Sequence, residues 1–204
     1  MNIQIEEIFS ELYFKWSAQF HILKHFVAID KAYAKQLVAH GYSLQQIDAQ
    51  LKTIGSTFDT PFSDNPQELL YFLKNNKQYI STITQKEYTI EIQFEIMSNV
   101  EHGIGFDNLI SLAQLTSNQR KTAYKSKIGD ALLWHIDIAL KRTNTINMVV
   151  AKHGDEYSII TIFPGTYAPP FPKIGKQSIL EFDISSDFWN NHAFIAPVFK
   201  KHDI

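Results

Sequence analysis

The chain predicts an α+β fold: an N-terminal helical segment, then a mainly antiparallel sheet with a packed helix. Three observations predict it. Residues 3–27 carry Ile5, Ile8, Phe9, Leu12, Trp16, Phe20, Leu23 and Val27 at helical spacing. Residues 87–96 alternate strictly, with Tyr88, Ile90, Ile92, Phe94 and Ile96 on one face. Two apolar runs, 146–152 and 157–163, flank the polar turn His153-Gly154-Asp155-Glu156 as the arms of a hairpin. Helices come first and strands follow, which separates this order from an alternating α/β chain.

Each element follows from local chemistry. The first helical pattern continues through Tyr33, Leu37 and Val38 and stops at His40-Gly41, where glycine takes the left-handed cap. Residues 3–40 form one long helix or two broken near Asp30. Ser43 and Gln46 are spaced as a capping box, with Tyr42 and Ile47 at the staple positions, and Leu44, Ile47, Leu51 and Ile54 form the stripe of that helix. After a loop over 56–64, Asn65-Pro66-Gln67-Glu68 combines a capping Asn, Pro in the first turn and Glu at N3. The character changes over 78–86, which divides a helical region, 1–80, from an α+β sheet domain, 86–204. The linker lacks Pro and Gly, so the two regions either share one core or stand as separate units.

In the second region His102-Gly103-Ile104-Gly105-Phe106 reads as a turn, 107–116 as a short helix or a strand, and 117–127 as a polar loop. A helix is expected over 128–142, with Ile128, Ala131, Leu132, His135, Ile136 and Ala139 on one face. Gln177–Ile184 reads as a strand, Ser186–Asn191 as a short turn or helical piece, and His192–Phe199 as an edge strand limited by Pro197.

Composition narrows the function classes. The 204 residues are 45% hydrophobic and 20% charged, ordinary for a globular protein able to bury its own core. There is no cysteine, which removes disulfides, thiolate nucleophiles and cysteine-ligated zinc. No apolar run approaches the roughly 18–20 residues that span a bilayer, and MNIQIEEIF lacks the basic start of a secretory signal. A cytoplasmic protein with no membrane partner is the expectation. The net charge of −2 argues against indiscriminate nucleic-acid binding, but residues 119–142 gather Arg120, Lys121, Lys125, Lys127, Lys141 and Arg142 against Asp130 and Asp137. That stretch is the candidate anion-binding patch, or a solvated surface.

His21 and His25 stand at i, i+4, but HILKH lacks the Glu of a zinc-protease helix and no third ligand stands out, so neither a metal nor another cofactor is expected. His135 reads as a buried core histidine. His102 is different: it sits in a turn after a strand, beside Glu101, where an imidazole acts as general acid or base or simply caps the turn. No Walker sequence, nucleophile elbow, kinase set or dinucleotide fingerprint is present. Arg120, Lys121, Lys125 and Lys127 surround Tyr124, which supplies phosphate donors and a ring for base stacking. Thr161 and Tyr157 lie on YSIITIF; Thr161, read as sharing a face with Ile159 and Phe163, is buried and bonded or points into a cleft. The proline-rich exit Gly165–Pro172 forms a cleft wall, a strap or a ligand for a proline-binding partner.

The order of a His-containing turn, IGFDNLI, QRKTAYKSK, a helix and INMVVAKHGDEYSIITIFPGTYAPP resembles bacterial nuclease-toxin domains grouped with barnase, EndoU, the tRNA-cleaving colicins and RelE. The resemblance covers roughly 88–172. It implies a metal-independent ribonuclease acting on RNA, in which His102 is the acid/base, Arg120, Lys125 and Lys127 contact the phosphate and Thr161 lines the site. Beside it, Lys121, Tyr124 and Tyr157 are further candidates for binding substrate, the N-terminal helices serve packing or dock a cognate protein, and the protein is expected in its own or a target cytoplasm. The basic loop holds more lysine than arginine, the exit ends Pro-Phe-Pro, and the N-terminal helices have no counterpart. The alternative is a non-catalytic interaction module, such as an immunity or accessory protein.

Overall fold

The structure, a computed structural model, describes residues 5–59, 64–76, 78–96, 103–122, 124–128, 131–135 and 138–195, with only the backbone described from 121 to 135. The chain runs α1 (Ile5–Ser10), β1 (Leu12–Phe14), α2 (Trp16–Ile22), a 3₁₀ turn (Leu23–His25), α3 (Lys31–Ala39), α4 (Leu44–Leu51), β2 (Thr57–Phe58) and α5 (Pro66–Asn75). It continues through β3 (Gln78–Gln85), β4 (Ile90–Ile96), β5 (Gly105–Asp107), β6 (Leu109–Ser111), a 3₁₀ turn (Leu112–Gln114), α6 (Ser117–Thr122), β7 (Tyr124–Ile128) and β8 (Ala131–His135). The last elements are β9 (Lys141–Thr143), β10 (Thr145–His153), β11 (Glu156–Pro164), α7 (Ile179–Asn191) and β12 (His192–Ile195). Three sheets form, ordered β1-β11-β10-β4-β3, β6-β12-β8-β7 and β2-β5-β9. β1 lies parallel to β11 and β12 parallel to β8; the other pairings are antiparallel. The class is α+β, as the sequence predicts.

Local signals account for the elements read correctly. Ser43 and Gln46 form the reciprocal capping box of α4. The Asn65 side chain accepts from the Gln67 N–H, with Pro66 opening α5. Gly41 has φ 95 at the end of α3. Gly154 has φ 64 and Asp155 a negative φ, so the two-residue turn of the β10–β11 hairpin is of the II′ kind.

Other expectations are corrected, some by a tertiary partner and some by a local cap. The N-terminal pattern is neither one helix nor two. Leu12 and Phe14 are buried with Tyr13 between them, and these three residues pair with Tyr157–Ile159. The second break falls at Asp30, whose carboxylate accepts from the Tyr33 N–H at 2.7 Å to cap α3. Residues 78–85, read as a linker, are the edge strand β3. Residues 117–127 are not a loop but α6 and most of β7. The helix expected over 128–142 is replaced, among the described residues, by the end of β7, β8 and β9, with Ile128 paired to Ala131. The apolar run there is compatible with either period, and pairing with β12 decides it. The strand expected over 177–184 lies mostly in α7, whose start is a full capping box between Ser178 and Glu181. β12 is interior to its sheet rather than at an edge.

One apolar cluster joins the N-terminal helices to the first sheet. Ile8, Ile22, Leu23, Phe26, Leu37, Ile47, Leu51, Leu69 and Leu73 meet Ile92, Phe94, Ile146, Met148, Val150, Ile159 and Ile162. The two halves therefore share a core. The buried Gln19 ties three helices together: its Oε1 accepts from the Tyr33 hydroxyl at 2.7 Å and from Gln67 Nε2 at 2.8 Å. Among the described residues, the second sheet carries a small satellite cluster built on Leu115, Ala193 and Ile195.

Candidate functional site

A bulge in β11 sets up the site. Val149 pairs with Thr161 and Val150 with Ile159, so Ile160 is the extra residue. A bulge shifts the alternation of faces by one. Ile159 and Ile162 both enter the core, Ile160 is exposed, and Thr161 and Phe163 turn to the opposite face. Thr161 thus shares a face with Phe163 but not with Ile159, a correction to the period-2 reading.

Thr161 and Phe163 line a cleft of about 880 Å³. Beside them stand His21, Lys24 and His25, from α2 and the 3₁₀ turn after it, and Ser56, just before β2. Across the cleft lie Thr166 and Ala168–Phe171 of the proline-rich exit, then Lys173, Lys176, Gln177, α7 and Phe194. The exit is a cleft wall, pinned at both ends. At its start, Asp107 accepts from the Thr166 N–H at 3.0 Å and the Thr166 hydroxyl at 2.6 Å. Gly165 is required beside it: φ is 92, and a Cβ there would lie 2.8 Å from Asp107 Cγ. Further on, the Trp189 indole donates to the Pro169 carbonyl at 3.0 Å, and Trp189 packs on Phe171 with ring centroids 4.4 Å apart.

The polar floor is cationic and imidazole-rich. His21 Nε2 lies 3.3 Å from Lys24 Nζ. Burial, reinforced by the Lys24 charge, lowers the His21 pKa; burial lowers that of Lys24. His25 is 6% exposed; its Nδ1 contacts the Ser56 carbonyl at 2.7 Å and its ring stacks on Phe163 at 5.4 Å. A carbonyl only accepts, so Nδ1 carries the proton, and in the neutral ring Nε2 is the basic nitrogen. His25 Nδ1 is bound to Ser56 and His21 Nε2 faces Lys24, so the two histidines make separate contacts.

Of the residues expected from sequence, Thr161 alone is found in this cleft among the described side chains. Tyr157 is corrected: at 5% exposure it belongs to the core, opposite Leu12, and has no surface to offer a substrate. Arg120 is exposed, does not line the cleft, and donates through Nη2 to the Leu112 carbonyl at 2.8 Å. Lys121 lies on α6, and Tyr124, Lys125 and Lys127 on β7, the edge of the second sheet farthest from β6. Thr161 is in a different sheet. Arg142, at the end of the basic stretch, is paired with Asp59 at 2.8 Å and covers the Phe106 ring. His102 lies outside the described residues.

Lys24 and Ser56 are not marked by the sequence as site residues, and HILKH reads there only as a candidate metal pair, His21 and His25. The available signal was the spacing i, i+3, i+4, which puts three titratable groups on one side of a helical turn. Comparison of the chain with protein-family models, curated proteins and solved structures finds no match.

Proposed function

We propose that the protein is a metal-independent ribonuclease whose reaction centre is the cleft floor of His21, Lys24, His25 and Thr161, not the basic loop. The observation that carries this reading is the gathering of two imidazoles, a half-buried amine and a hydroxyl beside aromatic walls. Cleavage by the 2′-hydroxyl of RNA needs a base, a cation on the phosphate and an acid for the leaving oxygen. His21, kept neutral by its surroundings, takes the 2′-hydroxyl proton as that oxygen bonds to phosphorus. Lys24, charged but with a lowered pKa, neutralises the phosphate and passes a proton to the departing 5′-oxygen as the P–O bond breaks. The products are a 2′,3′-cyclic phosphate and a free 5′-hydroxyl. The His21–Lys24 contact then returns the proton, restoring both groups. Thr161 donates to a phosphate oxygen, and Phe163 and Phe171 supply faces for unpaired bases. The Lys173 and Lys176 side chains add phosphate contacts at the mouth.

The test is incubation of folded protein with total RNA in EDTA, with end analysis of the products. Cyclic-phosphate ends are expected, with His21→Ala about 10²–10⁴-fold slower. Intact RNA, or unchanged rates in both His21→Ala and Lys24→Met, would overturn the assignment.

A second reading, a non-catalytic interaction module, is favoured by one observation. Ile174, Ile179, Leu180 and Ile184 are exposed close together on α7 and the loop before it. This apolar surface, rather than the N-terminal helices, is where a protein partner would dock. Stoichiometric capture of one protein, lost in Leu180→Asp and with RNA left intact, would support that reading.

A further inference from the structure

Strand register makes the cleft longer than its deepest part. Residues directly opposite in a sheet share a face. Phe163 pairs with Asn147, Asn147 with Gln93, and Gln93 with Thr82. Thr161 likewise leads through Val149 and Glu91 to Thr84. The face that carries Thr161 and Phe163 therefore continues across β10 and β4 to β3. Strands lie about 4.8 Å apart, so the distance from β11 to β3 is about 14 Å. A second bulge, between Ile80 and Thr82, keeps Ile80 and Ile83 against the core while turning Thr82 and Thr84 outward.

A pocket of about 240 Å³ sits on this outer face. Its wall is Tyr167, part of the exit, whose ring is 6.0 Å from Phe163 and whose hydroxyl donates to Glu91 Oε1 at 3.3 Å. The lining is polar and rich in acceptors. Gln93 gives an N–H to Asn147 Oδ1 at 3.1 Å, and Asn147 gives its own to the Gly165 carbonyl at 2.6 Å. Those bonds fix both amides and leave the Gln93 carbonyl as the group presented. Lys86 partly neutralises Glu91 at 2.5 Å, but the carboxylate has further lone pairs to offer. A phosphate would be repelled here, whereas a flat neutral ring with N–H donors would be held.

We infer that this pocket is a second subsite of the proposed ribonuclease, in which an unpaired base carrying an exocyclic amine stacks on Tyr167 and donates to Glu91 and Gln93. The inference rests on the RNA-cleaving reading and specifies its substrate: single-stranded RNA with adenine, cytosine or guanine, rather than uracil, next to the cleaved bond. The phosphate goes to the Lys24 end and the base to the Glu91 end. A uracil edge offers a single N–H between two carbonyls, so it satisfies one acceptor and sets a carbonyl against the other.

The experiment uses short single-stranded RNAs with one 2′-deoxy nucleotide at the scissile position, which bind but cannot be cut. Dissociation constants are measured for the full chain with each of the four bases at the flanking position. Amine-bearing bases are expected to bind about tenfold tighter than uracil. In Glu91→Gln, whose amide both donates and accepts, the preference should fall to threefold or less; Gln93→Leu gives the same readout if the first variant does not fold. Tyr167→Ala should weaken binding of every RNA about tenfold. Tight binding that ignores the flanking base would overturn the subsite and leave the ribonuclease reading intact. No binding of any RNA by folded protein would overturn both.

Discussion

The two walls of the cleft are held in unlike ways. On the side of α2 and β11, the functional groups stand directly on the core: Ile22, Leu23, Phe26 and Ile162 have no exposed surface, and His25 and Thr161 are their close neighbours in the chain. On the other side, α7 buries only Ser185 and Trp189, while Ile179 is 83% exposed and Leu180 69%. Groups that must meet a reacting phosphate to within a fraction of an ångström belong on the first wall. Among the described residues the second wall has fewer apolar contacts to lose, and a local opening there costs less free energy.

The sharpest way to break this comparison is to truncate one apolar residue on each side. Phe94 is fully buried and meets Phe9 edge-to-face at 5.1 Å. Phe94→Ala is expected to cost about 3–5 kcal/mol, enough to threaten a domain of ordinary stability. Leu180→Ala should change stability by less than about 0.5 kcal/mol. Urea denaturation with two spectroscopic probes measures both. Equal losses would mean that α7 belongs to the same cooperative core.

Next in size is the effect of the half-buried Lys24 amine. Lys24→Met is expected to reduce RNA cleavage about 10²–10³-fold, the loss typical when one transition-state donor is removed. The same change should raise the melting temperature at neutral pH, because the native state no longer holds a charge that burial disfavours. The pH dependence has a definite sign. His21 is lowered in the folded state, so below the unfolded value near 6.5 the unfolded chain binds more protons. Stability is therefore full above about pH 6.5 and declines as pH falls toward the folded pKa of His21. Lys24 acts in the same direction at alkaline pH: stability rises with pH between its lowered value and about 10.5. Thermal melts of wild type, His21→Phe and Lys24→Met across pH 5 to 10 separate the two; a flat profile in His21→Phe below pH 6.5 is the expected signature.

How far the sequence revealed this arrangement depends on whether a signal was local. The capping box at Ser43 and the Asn65-Pro66 start act within four residues, and both were legible. So was the hairpin at Gly154, because one residue's φ defines it. The three-residue β1 was not, since a pattern of Leu12 and Trp16 suits a helix until β11 offers its edge. The bulge at Ile160 has no local mark, yet it decides which face Thr161 takes. Tyr157 looked available because strand period alone does not say that β1 will cover it. The start of α7 was legible in principle: Ser178 and Glu181 carry the same S-x-x-E spacing as a capping box, but the apolar alternation of Leu180, Phe182 and Ile184 competed with it. His21, Lys24 and His25 were visible as a trio on one helical turn, and only the tertiary placement of β11 and the proline-rich exit joins them to Thr161.

That repeated capping motif gives the finest comparison of the two walls. Ser43 caps α4, which sends Ile47 and Leu51 fully into the core; Ser178 caps α7, which does not reach it. Removing either hydroxyl takes the same bond from the first turn, a loss of about 1 kcal/mol in most helices. In α4 that loss should appear in the global unfolding free energy, because α4 cannot open without exposing Ile47 and Leu51. In α7 it should appear locally: Ser178→Ala is expected to speed amide exchange over residues 181–185 severalfold with little change in global stability. RNA affinity should weaken too, since Glu181, Ile184 and Ser185 line the cleft. Exchange measured by mass spectrometry on both variants decides the matter. If Ser178→Ala lowers global stability as much as Ser43→Ala, the α7 wall unfolds with the core, and the cleft is rigid on both sides.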